Sequence, residues 1–428
     1  MGDIRSVFIG NFSLSAERKV FGLKNYAKFY NELAAESKTG TLSVFAGYIL
    51  PGDPGFDFSF EQPLSDKINF TLSRGNSTDT GLFQFLLNNI LLFIKLTRFC
   101  FKRGNYFIFL PSPVGVWSIL ILTLFRRAST LGIYIGGHYG REQSVEKRKG
   151  NIKRTIKKLA AILVDKLVIY AINRSDYVIT SSYEYHHDYK NTGKVFLTPP
   201  MLNVQESDLN ISMQGHEKCI TFCGELRHAK GVVDLLKAFV QLVNKRQLTG
   251  YKLKIIGSGQ ALGELVHLAE INGISHLVTF CGQIKQQSQL KEQLATATIF
   301  VLPSYSEGFP RVAYESFTLG VPTILTPVGG IPFLAKDKEH CLFAEPGNVD
   351  DLANKISLLL NDEGLRSKLS IHARNLMTQE IFPRIKSHVS LSRMILAKMD
   401  SLNHVGEAGT AAFNKDSGEQ KLSLSKAP

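Results

Sequence analysis

Thr298 to Glu315 reads TIFVLPSYSEGFPRVAYE, and the reading of the whole chain follows from it. Ile299 to Leu302 is a short apolar run ended by Pro303, the pattern of a buried strand that stops there. Ser304 to Pro310 supplies Ser, Tyr, Gly and Pro, the chemistry of a loop. From Arg311 onward Val312, Glu315, Ser316 and Leu319 recur at helical spacing. Strand, loop and helix in that order place backbone N–H groups and a helix N-terminus at the carboxyl end of a sheet. Open α/β folds bind phosphates at that position.

The same unit repeats on either side. Cys219 to Gly224 is a strand, GELRHAKG (Gly224 to Gly231) a loop, and Val232 to Val243 a helix. Lys252 to Ile256 is a strand followed by Gly257-Ser258-Gly259, a G-x-G that precedes the helix Leu262 to Asn272. Val278 to Cys281 with Gly282-Gln283-Ile284, the strand Thr323 to Leu325 and the helix Val349 to Asn361 complete a Rossmann-like half. Upstream, Ser6 to Gly10 reads as a strand, Val20 to Glu36 as a helix and Thr41 to Leu50 as a strand. Pro51 to Thr80 reads as an irregular polar insertion. Tyr106 to Phe125 is twenty residues without a charge, but Pro111-Ser112-Pro113 divides it into a strand and a helix too short to span a bilayer. Leu131 to Ile135 is a further strand, closing on Gly136-Gly137-His138-Tyr139-Gly140, where the glycines let a ligand approach the backbone.

Composition agrees with two such halves. At 428 residues the chain exceeds one ordinary core, and 44% hydrophobic with 20% charged residues is the balance of a folded protein. Five cysteines, odd in number and without a C-x-x-C pair, argue for a reducing compartment. The N-terminus lacks a basic segment followed by a long apolar run, so no secretory signal is read there. The net charge of +13 is concentrated: Lys95 to Lys158 holds fourteen Lys and Arg against only Glu142 and Glu146. Without a recognisable nucleic-acid motif, that charge points to an anionic membrane surface rather than to nucleic acid.

Two carboxylates stand eight residues apart in the opening unit, Glu307 and Glu315. A carboxylate accepts two hydroxyls at once and suits a vicinal diol. Taken alone, such a pair is more simply a helix cap and a solvated residue. The surrounding EGFPRVAYE, followed by SFTLGVPTILTPVGG, resembles the donor-site signature of the family-4 glycosyltransferases. The resemblance is specific over Cys219 to Lys398 and architectural over Ser6 to Ser182. It implies the α/β GT-B fold, two Rossmann-like domains facing each other across a cleft. The expected division is 1–205, an acceptor-side and membrane-facing domain, and 206–400, a nucleotide-sugar domain whose last helix crosses back. Residues 401–428 are expected to form a disordered tail.

The resemblance also implies roles. Glu307 would hold donor-sugar hydroxyls, Glu315 the ribose diol, and His138 the sugar from the opposite wall. Lys230 and the backbone N–H groups of Gly308 and Phe309 would stabilise the leaving diphosphate. Gly257, Gly259 and Gln283 would lie along the nucleotide. Relatives have an Arg where this chain has Glu225, so Arg227 is the substitute cation. The implied activity is retaining transfer from a nucleotide-sugar to a glycan or lipid-linked acceptor, without metal or other cofactor. The expected setting is cell-surface polysaccharide synthesis on the cytoplasmic face of the plasma membrane. Two alternatives stand beside it: a nucleotide-sugar epimerase on the same scaffold, and a non-catalytic membrane-associated relative, favoured by Glu225.

Overall fold

A computed structural model describes residues 3–14, 19–22, 24–37, 41–49, 62–74, 82–110, 112–135, 152–198, 202, 204–211, 218–284, 286–307, 310–383 and 391–407. Among these, nine strands form a first sheet and six a second. The first holds β1 (Ile4–Leu14), β2 (Val20–Gly22), β3 (Leu42–Ile49), β4 (Gln62–Pro63), β5 (Ile68–Arg74), β6 (Gly104–Leu110), β7 (Ala128–Ile135), β8 (Tyr177–Thr180) and β9 (Val195–Leu197). Strands run parallel in the order β5-β3-β1-β6-β7-β8-β9, with β2 and β4 attached antiparallel at the far end of β1.

The β6 strand shows why its sequence is apolar throughout. Tyr106, Ile108 and Leu110 enter one hydrophobic cluster, Phe107 and Phe109 the other, because both faces of a parallel sheet are covered. Helices α2 (Leu82–Cys100), α3 (Pro113–Leu124) and α4 (Ile152–Arg174) cover the first face. Ser112 caps α3, its Oγ accepting from the Gly115 N–H at 2.8 Å, and Pro113 sits in the first turn, where its missing N–H costs nothing. Helix α1 (Lys24–Glu36) and the closing helix Leu391–Glu407 cover the second face. There Ile395, Leu396 and Met399 join the same hydrophobic cluster, the helix resting on α1 and β7. Arg393 Nε donates to Glu36 Oε1 at 2.8 Å and Ser392 Oγ to Glu32 Oε2 at 3.2 Å. Among the described residues no helix is long and apolar enough to cross a membrane.

Three expectations change. The stretch read as an irregular insertion contains β5, which pairs with β3 through Ile68 to Arg74. Val20–Gly22 is a strand paired to the end of β1, so the helix starts at Lys24. The closing helix continues to Glu407, seven residues into the expected tail, and 408–428 lie outside the described residues.

The second sheet is β10 (Cys219–Cys223), β11 (Lys252–Ile256), β12 (Val278–Gly282), β13 (Ile299–Leu302), β14 (Thr323–Leu325) and β15 (Leu342–Phe343). All pairings are parallel, in the order β12-β11-β10-β13-β14-β15. The chain first builds outward from β10 in one direction, then restarts at β13 and builds in the other. The loops that follow β10 and β13 therefore diverge to opposite faces and leave a crevice between them, the topological switch point of an open α/β sheet.

Candidate active site

Those two loops carry the residues singled out from sequence. After β10 a short turn over His228–Lys230 ends at Gly231, whose φ of +66° starts the helix Val232–Asn244. A Cβ on Gly231 would lie 1.9 Å from the Pro303 carbonyl, so only glycine lets the two loops meet. Tyr305 N–H donates to the Ala229 carbonyl at 2.9 Å, and Tyr305 hydroxyl donates to Asp234 Oδ2 at 2.5 Å. Burial, and then the bond to Asp234, push the Tyr305 phenol above its ordinary range, so it stays a donor.

With the loops tied, Lys230 and Glu307 come together. Lys230 Nζ donates to both carboxylate oxygens of Glu307 at 2.8 Å, and Ser304 Oγ donates to Oε1 at 2.5 Å. Glu307 is 6% exposed. An isolated carboxylate at that depth is costly, and the ammonium and the hydroxyl are its compensation. The backbone behind it is fixed from a third loop. Thr326 Oγ1 donates to the Ser304 carbonyl at 2.5 Å, and Gly329, φ +55°, passes so close that a Cβ would lie 1.7 Å from the Glu307 carbonyl.

Glu315 lies on the helix Arg311–Leu319 and is 4% exposed. Its charge reaches the end of β10. The Cys223 thiol is pushed up to about 12, first by burial and then by Glu315. Glu307 and Glu315 thus flank the same crevice, one in its loop and one on the helix behind.

The other expected residues among those described have partners within the protein. Arg227 Nε lies 2.9 Å from Glu225 Oε2, an ion pair by distance without the alignment of a hydrogen bond. The expected substitute cation is therefore already paired with Glu225. Gly257 and Gly259 serve loop packing: Cβ atoms there would meet the Gly224 carbonyl at 1.9 Å and the Leu226 carbonyl at 2.5 Å. Leu226 N–H donates to the Ser258 carbonyl at 2.9 Å across the same contact. Gln283 Oε1 accepts from Ser258 Oγ at 3.5 Å. His138, Gly308 and Phe309 lie outside the described residues. Ser304, Tyr305, Thr326 and Gly329 were not anticipated as site residues. The P-V-G-G run at Pro327–Gly330 was the available signal for the last of them.

Known proteins resemble this chain in sequence over its second half and in fold over nearly all of it. The family described as Glycosyl transferases group 1 matches residues 205–376. An uncharacterized glycosyltransferase of Methanocaldococcus jannaschii is 31% identical over 165 residues, 39% of this chain and 41% of that protein. An N-acetylgalactosaminyltransferase of Campylobacter jejuni, named for a GalNAc-containing undecaprenol-diphosphate glycan, is 34% identical over 159 residues, 37% of this chain and 43% of its own. The matches span less than half the length of these relatives. Two solved structures extend over nearly the whole chain. Sucrose-phosphate synthase from Thermosynechococcus elongatus superposes with TM-score 0.61 at 18% identity, covering 95% of this chain and all of that one. Anabaena HepE in complex with UDP gives 0.59 at 15%, covering 93% and 100%. At such identities these structures speak for the fold. Residues 205–376 thus match the group 1 glycosyltransferase family, and the two parallel-sheet halves share the GT-B fold of these structures.

Proposed function

We propose that the protein transfers a sugar from a nucleotide-sugar to a hydroxyl of a glycan acceptor, with retention of anomeric configuration and without a metal. The observation that carries this reading is the Lys230–Glu307 pair at the switch point, a partly exposed ammonium held against a buried carboxylate. As the bond from the anomeric carbon to the diphosphate breaks, negative charge develops on the leaving oxygen. A cation placed there stabilises it far more than it stabilises the ground state. Lys230 turns from Glu307 to the diphosphate, and the freed Glu307 carboxylate accepts donor-sugar hydroxyls. Glu315 takes the ribose diol, and His138 and the N–H groups of Gly308 and Phe309 complete the donor contacts. The acceptor oxygen bonds to the anomeric carbon and its proton leaves with the diphosphate.

A lipid-linked acceptor in cell-surface polysaccharide assembly fits best, on the inner face of the plasma membrane. The Campylobacter relative, named for an undecaprenol-diphosphate glycan, supports that choice. The Glu225–Arg227 ion pair favours a second reading, a chain that binds a nucleotide without turnover. One screen separates the readings. Nucleotide-sugars are tested for thermal stabilisation, which follows mass action, and for hydrolysis or transfer. Stabilisation with released diphosphate supports the transferase. Stabilisation alone supports the second reading, and a rearranged sugar without transfer an epimerase. No effect from any nucleotide-sugar overturns all three.

A further inference from the structure

Helices α2, α3 and α4 leave large apolar side chains in solvent, and these form one surface. Leu91 and Phe93 on α2, and Leu163 and Ile169 on α4, are exposed; on α3 Trp117 is 50% exposed and Leu124 76%. The Phe93 ring meets the Trp117 ring edge-on with centroids 5.5 Å apart, and Phe101 meets Phe125 at 4.7 Å, which joins α2 to α3 at both ends. The Thr123 and Tyr170 hydroxyls, 3.4 Å apart, join α3 to α4. The opposite faces of the same helices already fill the core, so nothing in the fold requires this side to be apolar. A single exposed apolar residue needs no explanation, but a contiguous patch of this kind does.

Charge identifies the occupant. From Leu82 to Ile135 the sequence contains no Asp or Glu, while Lys95, Arg98, Lys102, Arg103 and Arg126 are exposed. An apolar centre with an amphipathic Trp and an unopposed basic rim matches a bilayer whose headgroups are anionic. A symmetric contact with a second copy would set that rim against its own like charges. A nucleic-acid backbone would leave the exposed Leu and Ile without partners.

We propose that the outer face of α2, α3 and α4 is a docking surface for an anionic lipid bilayer, inserting Trp117 and Leu124 at the headgroup boundary. It deepens the functional reading by naming the face turned to the membrane and rests on that reading only for the acceptor's location. The test uses no sugar donor, so it fails or succeeds apart from catalysis.

Trp117 is the only tryptophan of the chain and reports on its own surroundings. With vesicles of phosphatidylcholine and phosphatidylglycerol its emission shifts to the blue and is quenched by brominated acyl chains, and both effects diminish at high salt. Phosphatidylcholine alone gives neither. Leu91→Glu with Leu124→Glu abolishes the shift while the melting temperature is kept, since both residues are exposed. Lys102→Ser with Arg103→Ser weakens attachment about 25-fold, about five-fold for each charge. An unchanged Trp117 spectrum with anionic vesicles, equal binding to neutral ones, or a shift produced instead by dimerisation or by added nucleic acid would overturn the assignment.

Discussion

Lys230 and Glu307 stand 77 positions apart in sequence, yet Nζ of one lies 2.8 Å from both carboxylate oxygens of the other. The distance is closed because β10 and β13, which deliver their loops, are neighbours in the sheet. Removing the lysine leaves a buried carboxylate with Ser304 as its remaining hydrogen-bond partner among those described. Breaking a fully buried pair costs roughly 3–5 kcal/mol. Lys230's side chain is 21% exposed, so Lys230→Ala should cost less, about 2 kcal/mol. The double variant Lys230→Ala/Glu307→Ala should be more stable than Lys230→Ala alone. Urea unfolding of the full cycle checks this, and additive losses would mean the two side chains are not coupled.

The two carboxylates should separate kinetically. Glu315 is on a helix behind the crevice and Glu307 is in the loop against Lys230. Glu315→Ala is expected to weaken binding of the free nucleoside diphosphate, whereas Glu307→Ala mainly lowers kcat. Titration calorimetry decides, and unchanged affinity in the Glu315 variant would remove it from the ribose.

Gly329→Ala tests how far the site depends on backbone that carries no chemistry. The φ of +55° costs a substituted residue about 1–2 kcal/mol. In addition, the new Cβ would overlap the Glu307 carbonyl. The loop must give, and Glu307 moves with it. Activity should fall by more than ten-fold in a protein that still unfolds cooperatively.

Histidine 340 sets an acid limit on stability. It is buried, and its Nδ1 accepts from the Lys336 N–H at 3.1 Å, which requires the neutral ring. Burial, with Lys336 beside it, lowers its pKa from the ordinary 6.5, although Glu339 Oε1 at 3.4 Å opposes the shift. Because the folded value is depressed, stability is full above about pH 6.5 and is lost as pH falls through the folded value, where the unfolded chain takes up the proton first. Melting temperature should drop as pH falls below about 6.5, and His340→Gln should flatten that slope. An equal slope in the variant would assign the acid sensitivity elsewhere.

How far the sequence reaches follows from where each signal lies. Most of the second sheet was legible because β10, β11, β12 and β13 are short strands each closed by Gly or Pro, as at Ile299–Leu302 before Pro303, whereas the two-residue β15 gave no such signal. Strand β5 escaped because Ile68, Phe70 and Leu72 alternate with Asn69, Thr71 and Ser73 inside a polar region, a half-buried pattern with little contrast to a loop. Glu307 and Lys230 were readable as chemistry-bearing residues. Their mutual contact was not, since it depends on which strands are neighbours. Gly257 and Gly259 were readable as a G-x-G between strand and helix, but the close approach of the Gly224–Leu226 backbone, which also demands glycine there, was not.

The Glu225–Arg227 pair carries the last prediction. Glu225 places a negative charge in the loop that carries Lys230, and it lies 2.9 Å from Arg227, the guanidinium of the same loop. A diphosphate approaching this loop meets Lys230 as a usable cation, while Glu225 repels it. Glu225→Gln keeps the shape of the side chain and removes the charge, which releases Arg227 from its ion pair. Both changes favour the anion, so affinity for nucleoside diphosphate should rise and turnover should rise with it. Lys230→Ala in the natural background should lower kcat/KM about a hundred- to a thousand-fold, the cost of losing one donor to a developing charge. In the Glu225→Gln background the same change should cost less, because Arg227 is free to take part. Steady-state kinetics of the four proteins check the relationship. If Glu225→Gln leaves diphosphate affinity unchanged, or if Lys230→Ala costs the same in both backgrounds, the ion pair has no part in holding the donor.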